Sequence, residues 1–151
     1  MDKSDSLDEV LEYAIDREID ANQFYLALAE RVDNVEMRKV FEDLADEELE
    51  HKAKLELELM KLGKTTAIKV PPTSPQRDYI ISDSNSLLDM DYKDMLMMAI
   101  EKEEASFRTY VNLVPRAYDS ESREVLLSLA EEEVRHKLRF QTEYDIIMKH
   151  K

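Results

Sequence analysis

The sequence predicts an all-α fold: an antiparallel four-helix bundle of two helical hairpins, joined by a long crossover at about 64–86. Three observations predict it. Apolar residues recur at alternating steps of four and three over long stretches, which places them on one helical face. The chain holds one Gly and four Pro, too little punctuation for a β-rich fold. The pattern of the first half returns at a constant offset in the second, with Glu103 answering Glu18 and Glu133 answering Glu48, so one hairpin unit is used twice.

The first helix is expected at about 6–32. Its seam reads Leu7, Leu11, Ala14, Glu18, Ala21, Tyr25 and Leu28, and Ser6-Leu7-Asp8-Glu9 reads as a capping box. The second is expected at 35–62, with seam positions Met37, Phe41, Leu44, Glu48, His51, Leu55 and Leu62. Asn34 is its candidate N-cap, and Gly63, the only glycine, falls where a C′ residue belongs. The segment 64–86 has no helical period and contains Pro71, Pro72 and Pro75. A connection of that length is long for a compact domain, and a crossover running the length of the bundle accounts for it. The third helix is expected at 87–114, with Tyr92, Leu96, Ala99, Glu103, Ser106, Tyr110 and Leu113 on its seam. The fourth, at 120–149, carries Leu126, Leu129, Glu133, His136, Phe140 and Tyr144, with Asp119 or Ser120 as cap.

At 151 residues the chain is expected to form a single domain, 1–151, large enough to bury a core. A formal net charge of −14 argues against nucleic acid, because phosphate binding needs a basic patch. There is no cysteine, which excludes disulfides, thiolate zinc sites and iron–sulfur clusters within these residues. The N-terminus shows no signal-peptide pattern, and no apolar run is long enough to span a bilayer, so a cytoplasmic protein without membrane contact is the expectation.

The intruders on the apolar seams carry the chemistry. Glu18 precedes Glu48-Leu49-Glu50-His51, and Glu103 precedes Glu133-Val134-Arg135-His136 by the same interval. Each Glu-x-x-His sets a carboxylate and an imidazole one turn apart on the inward face. Burying an ionised carboxylate costs several kcal/mol even after relaxation, so burying four demands compensating charge. Two divalent cations match four carboxylates charge for charge, and two neutral imidazoles leave that balance unchanged. Oxygen and nitrogen donors without sulfur suit iron or manganese, with zinc able to compete. Glu18, Glu48, His51, Glu103, Glu133 and His136 are therefore the candidate metal ligands.

Other residues carry a weaker signal. Tyr25 and Tyr110 lie two turns after Glu18 and Glu103 on the same seams. They read first as core aromatics and second as hydrogen-bond donors to a ligand carboxylate. Glu47 and Glu132 stand one turn before each His and read first as solvent-exposed acids and second as partners for that imidazole's other ring nitrogen. Glu101 and Glu104 flank Glu103 but point elsewhere on the helix. Met95, Met97 and Met98 read as packing residues, and Lys149-His150-Lys151 as a frayed end.

With these residues in hand, the chain resembles the rubrerythrin branch of the ferritin-like superfamily. The resemblance rests on Leu44-Ala45-Asp46-Glu47-Glu48-Leu49-Glu50-His51, its echo at 129–136, and Ala14-Ile15-Asp16-Arg17-Glu18. It covers both hairpins. It implies a ferritin-like bundle whose hairpins are related by a pseudo-two-fold, a non-haem di-iron centre and frequent dimerisation. By position it implies Glu18 and Glu103 as terminal ligands, Glu48 and Glu133 as bridging ligands, and one of His51 and His136 on each metal. Two departures stand out. Rubrerythrins usually carry a four-cysteine rubredoxin domain for electron supply, and these residues include none. They also carry a further carboxylate about one turn from the third-helix ligand, where this chain has Ala99, Ile100, Ser106 and Phe107.

The expected function is that of a di-iron oxidoreductase that reduces hydrogen peroxide or dioxygen, a peroxidase or ferroxidase fed by an external electron donor. An iron- or manganese-sequestering protein with little turnover is the alternative, and a purely structural bundle is the third reading.

Overall fold

A computed structural model of the chain describes residues 7–63, 91–117 and 119–149. Four α-helices account for most of them: α1, Leu7–Arg31; α2, Val35–Lys61; α3, Tyr92–Leu113; and α4, Ser120–Lys149. No strand occurs among the described residues. The chain divides into two compact units, Met1–Asp83 and Ser84–Lys151, each holding one hairpin.

In the first unit α1 and α2 are separated by only residues 32–34, so the helices fold back on each other and run antiparallel. The turn is set by Asn34, whose side-chain oxygen accepts from the Met37 N–H at 3.0 Å. That bond satisfies one of the amides a helix start leaves unpaired. The far end of α2 closes at Gly63, where φ is +77°, a backbone region glycine enters at little cost. Its N–H donates to the Met60 carbonyl at 3.0 Å. The seam positions Leu11, Ala14, Ala21, Tyr25 and Leu28 of α1 are buried, as are Met37, Phe41, Leu44 and Leu55 of α2. Tyr25 stacks on Phe41 with ring centroids 6.1 Å apart and meets Phe24 edge-on at 5.2 Å. Leu62 is only half-buried, because α2 ends at Lys61, and Leu59 takes the inward position instead.

In the second unit α3 begins at Tyr92 rather than at 87. Asp91 caps it, with a side-chain oxygen accepting from Asp94 N–H at 2.9 Å. It ends at Leu113, ahead of a 3-10 turn over Val114–Arg116. Pro115 lacks the N–H that a continuing helix would need there. Asp119, not Ser120, caps α4, accepting from Ser122 N–H at 2.7 Å. Leu96, Ala99, Tyr110, Leu113, Leu126, Leu129 and Phe140 are buried in this hairpin, while Tyr144 is half-buried. Met95 packs inside and Met97 is exposed.

Ser6 of the expected capping box, the expected crossover, residues 87–90 and the chain's last two residues lie outside the described residues. No helix of the described residues is long and apolar enough to cross a membrane.

Candidate metal centre

Both repeats deliver their polar intruders to the inside. In the first hairpin Glu18 comes from α1, and Glu48 and His51 come from successive turns of α2. Their exposures are 2%, 1% and 1%. The His51 Nδ1 stands 3.2 Å from Glu48 Oε1 and 3.6 Å from Glu18 Oε1. In the second hairpin Glu103 comes from α3, and Glu133 and His136 from α4. The His136 Nδ1 lies 3.3 Å from Glu103 Oε2 and 3.4 Å from Glu133 Oε1. Within each triad one potential ligand atom per residue lies within 4.8 Å of the others, close enough to converge on one cation.

The electrostatics of the triads follow from like charges brought together. Burial alone pushes the His51 imidazole down, but the carboxylates of Glu18 and Glu48 beside it outweigh this and raise its pKa to about 12. Burial likewise opposes protonation of His136, and Glu103 and Glu133 raise it to about 11. In the metal-free chain the imidazolium is thus the cation each carboxylate pair collects. A divalent metal would take its place, with Nδ1 already turned to the carboxylate oxygens. Two carboxylates and one imidazole per triad, buried and free of sulfur, fit iron or manganese.

The remaining candidates separate clearly. Tyr25 is fully buried among Phe24 and Phe41. Tyr110 is 1% exposed, and among the described residues its hydroxyl meets no hydrogen-bond partner. Glu101 is exposed. Glu104 turns away from the triad to Lys137 Nζ at 2.7 Å and Arg108 Nε at 2.8 Å, and these two cations hold its carboxyl below its ordinary range. Glu47 and Glu132 are half-buried, more enclosed than their expected solvent-facing role.

Sequence reasoning missed the buried polar residues Asn22, Gln23, Lys52 and Glu58 of the first hairpin. Asn22 lies one turn after Glu18 on the α1 seam, and its Nδ2 donates to the Ala45 carbonyl of α2 at 2.8 Å. Lys52 reaches Glu56 at 3.0 Å, and Lys61 reaches Glu58 at 3.1 Å. The step of four from Glu18 was the available signal for Asn22. The i,i+4 spacing was the signal for Lys52.

The family model for rubrerythrin matches residues 9–144, a span that contains both triads. The chain belongs to the rubrerythrin family. Among solved structures, this rubrerythrin-family chain resembles a hypothetical protein from Pyrococcus furiosus, with 24% identity and a TM-score of 0.74 over 97% of this chain and 92% of that one. It also resembles a protein from Thermotoga maritima described as a ferritin-like diiron-carboxylate protein, with 22% identity and a TM-score of 0.73 over 93% and 95% of the two chains. An iron-soaked variant of PmFTN superposes with a TM-score of 0.75 at 18% identity, over 95% of this chain and 88% of that chain. These likenesses show the fold, a ferritin-like four-helix bundle. No curated protein matches the sequence. For this member of the rubrerythrin family, the four-helix architecture and family expected from the repeated Glu-x-x-His are those observed.

Proposed function

We propose that the chain is a di-iron carboxylate oxidoreductase that reduces hydrogen peroxide or dioxygen. The observation that carries this reading is the buried Glu–Glu–His triad, present in the same form in each hairpin of a rubrerythrin-family chain. Glu18, Glu48, His51, Glu103, Glu133 and His136 supply six ligands, enough for two metal ions at one imidazole each. Bound as iron(II), the pair would supply two electrons to one oxidant molecule, the chemistry that a two-metal carboxylate site offers. The carboxylates contribute fixed negative charge that favours the more highly charged oxidised metal. Their burial excludes bulk water, which strengthens every charge interaction in the site. The 151 residues contain no cysteine and so hold no iron–sulfur centre, and on this reading the electrons come from a donor outside these residues. Self-association as a homodimer is proposed on the resemblance to the family alone.

A second reading, sequestration of iron or manganese with little turnover, draws on the likeness to an iron-soaked PmFTN variant. Stopped-flow oxidation of the iron(II)-loaded protein decides between them. The oxidoreductase reading expects peroxide or dioxygen to oxidise the bound metal faster than free iron(II). Rates no faster than free iron(II) with both oxidants would remove it and leave sequestration.

A further inference from the structure

The two hairpins carry one triad each but hold it differently. In the first, Asn22 is 2% exposed and bonds across the hairpin to the Ala45 carbonyl at 2.8 Å. Asn22 is one turn from Glu18, and Ala45 is one turn before Glu48, so this bond locks the helices together beside both carboxylates. Gln23 Nε2 donates to Asn22 Oδ1 at 2.9 Å and fixes the amide's orientation. The repeat places Phe107 and Arg108 at the corresponding positions. Phe107 has no polar side-chain atom, and Arg108 is exposed and bound to Glu104. The amide tie therefore has no copy in the second hairpin.

Exposure follows the same asymmetry. His51 is 1% exposed and His136 is 8%. The lysine after each histidine differs in the same sense: the Lys52 side chain is 8% exposed and that of Lys137 is 38%. Metal leaves a site by stepwise replacement of ligands with water. The first ligand lost is one that water can reach. The second hairpin has its own tie beside the triad, Lys137 Nζ to Glu104 Oε1 at 2.7 Å. Both of those side chains are half-exposed, so water competes for that bond, as it does not for the buried Asn22 amide.

We propose that the triads are unequal metal sites: Glu103, Glu133 and His136 exchange their ion with solvent, while Glu18, Glu48 and His51 retain theirs. This rests on the reading that each triad binds metal. Asn22 acts as a positioning residue that makes the first site slow.

The test uses the full chain loaded with two equivalents of cobalt(II) and challenged with excess chelator, read by cobalt absorption. Release is expected in two phases of equal amplitude, with rates differing by roughly tenfold or more, as the effect of groups behind metal ligands suggests. His136→Asn should abolish the fast phase and leave the slow one. Asn22→Leu should accelerate the slow phase and leave the fast one unchanged. A single phase carrying both ions overturns the inference while leaving the metal reading intact. So does loss of the slow phase in His136→Asn, or an unchanged slow rate in Asn22→Leu. Failure to bind cobalt in stoichiometric amount overturns the metal reading and this inference with it.

Discussion

The Nδ1 of His51 faces the Oε1 of Glu48 across one turn of α2 at 3.2 Å, and in the second hairpin His136 and Glu133 repeat the contact at 3.4 Å. Such a pair inside a core is stable only if a further charge joins it. In the metal-free chain that charge is a proton on each imidazole. In the loaded chain it is the metal.

Exchange of proton for metal has a measurable consequence. Both imidazoles are held protonated at neutral pH, His51 up to about 12 and His136 up to about 11. Ligation requires the neutral ring, so loading should expel about two protons per chain, and apparent affinity should rise with pH. Calorimetry of metal binding in two buffers of different ionisation enthalpy measures the proton count. The sign for stability of the metal-free chain is the reverse. A raised histidine pKa stabilises the fold fully below the unfolded value of about 6.5, and that contribution fades as pH rises through the folded values. Metal-free protein should thus melt at a lower temperature at strongly alkaline pH than near neutrality.

Metal should stabilise the fold. Free metal at about 100 times its dissociation constant adds about 2.7 kcal/mol per site. For a chain of this size that is a rise of roughly 5–10 °C per site in melting temperature. A purely structural bundle would show no such rise, and calorimetric scans with and without iron(II) or manganese(II) distinguish the two.

The Tyr110 hydroxyl gives an independent check. A buried hydroxyl without a partner costs about 1–3 kcal/mol. Tyr110→Phe is therefore expected to raise the melting temperature of the metal-free chain. If the hydroxyl bonds to a ligand carboxylate once metal is bound, the gain should shrink in loaded protein.

Two substitutions far from the triads serve as controls. Asn34→Ala removes the cap of α2 and should cost about 1 kcal/mol. Gly63→Ala meets nothing within 4 Å, so its cost is that of holding φ at +77° with a Cβ, about 1–2 kcal/mol. Both should lower the melting temperature by a few degrees and leave metal stoichiometry unchanged.

The helices and the triads were legible in the sequence because one mechanism wrote both. The helical period that buries Phe41 and Leu55 also buries Glu48 and His51, so a charged residue on the seam announces itself. Caps were legible where a single polar side chain decides, as at Asn34. The cap of α3 was not singled out: Asp91 sets its start by accepting from the Asp94 N–H, while residues 87–90 of the expected helix lie outside the described residues. The Asn22 tie was not legible, because its acceptor is a backbone carbonyl on the facing helix and carries no residue-type signal. Nor was the difference in exposure between His51 and His136, since both stand in the same Glu-x-x-His motif and differ only in what surrounds them.

The central claim is that six named side chains hold two metal ions. Anomalous diffraction at the iron and manganese edges, on crystals of protein purified without added metal, tests it most directly. The account predicts two peaks, one bounded by Glu18, Glu48 and His51 and the other by Glu103, Glu133 and His136. Ions bound elsewhere, with both triads still closed on their own protons, would contradict it.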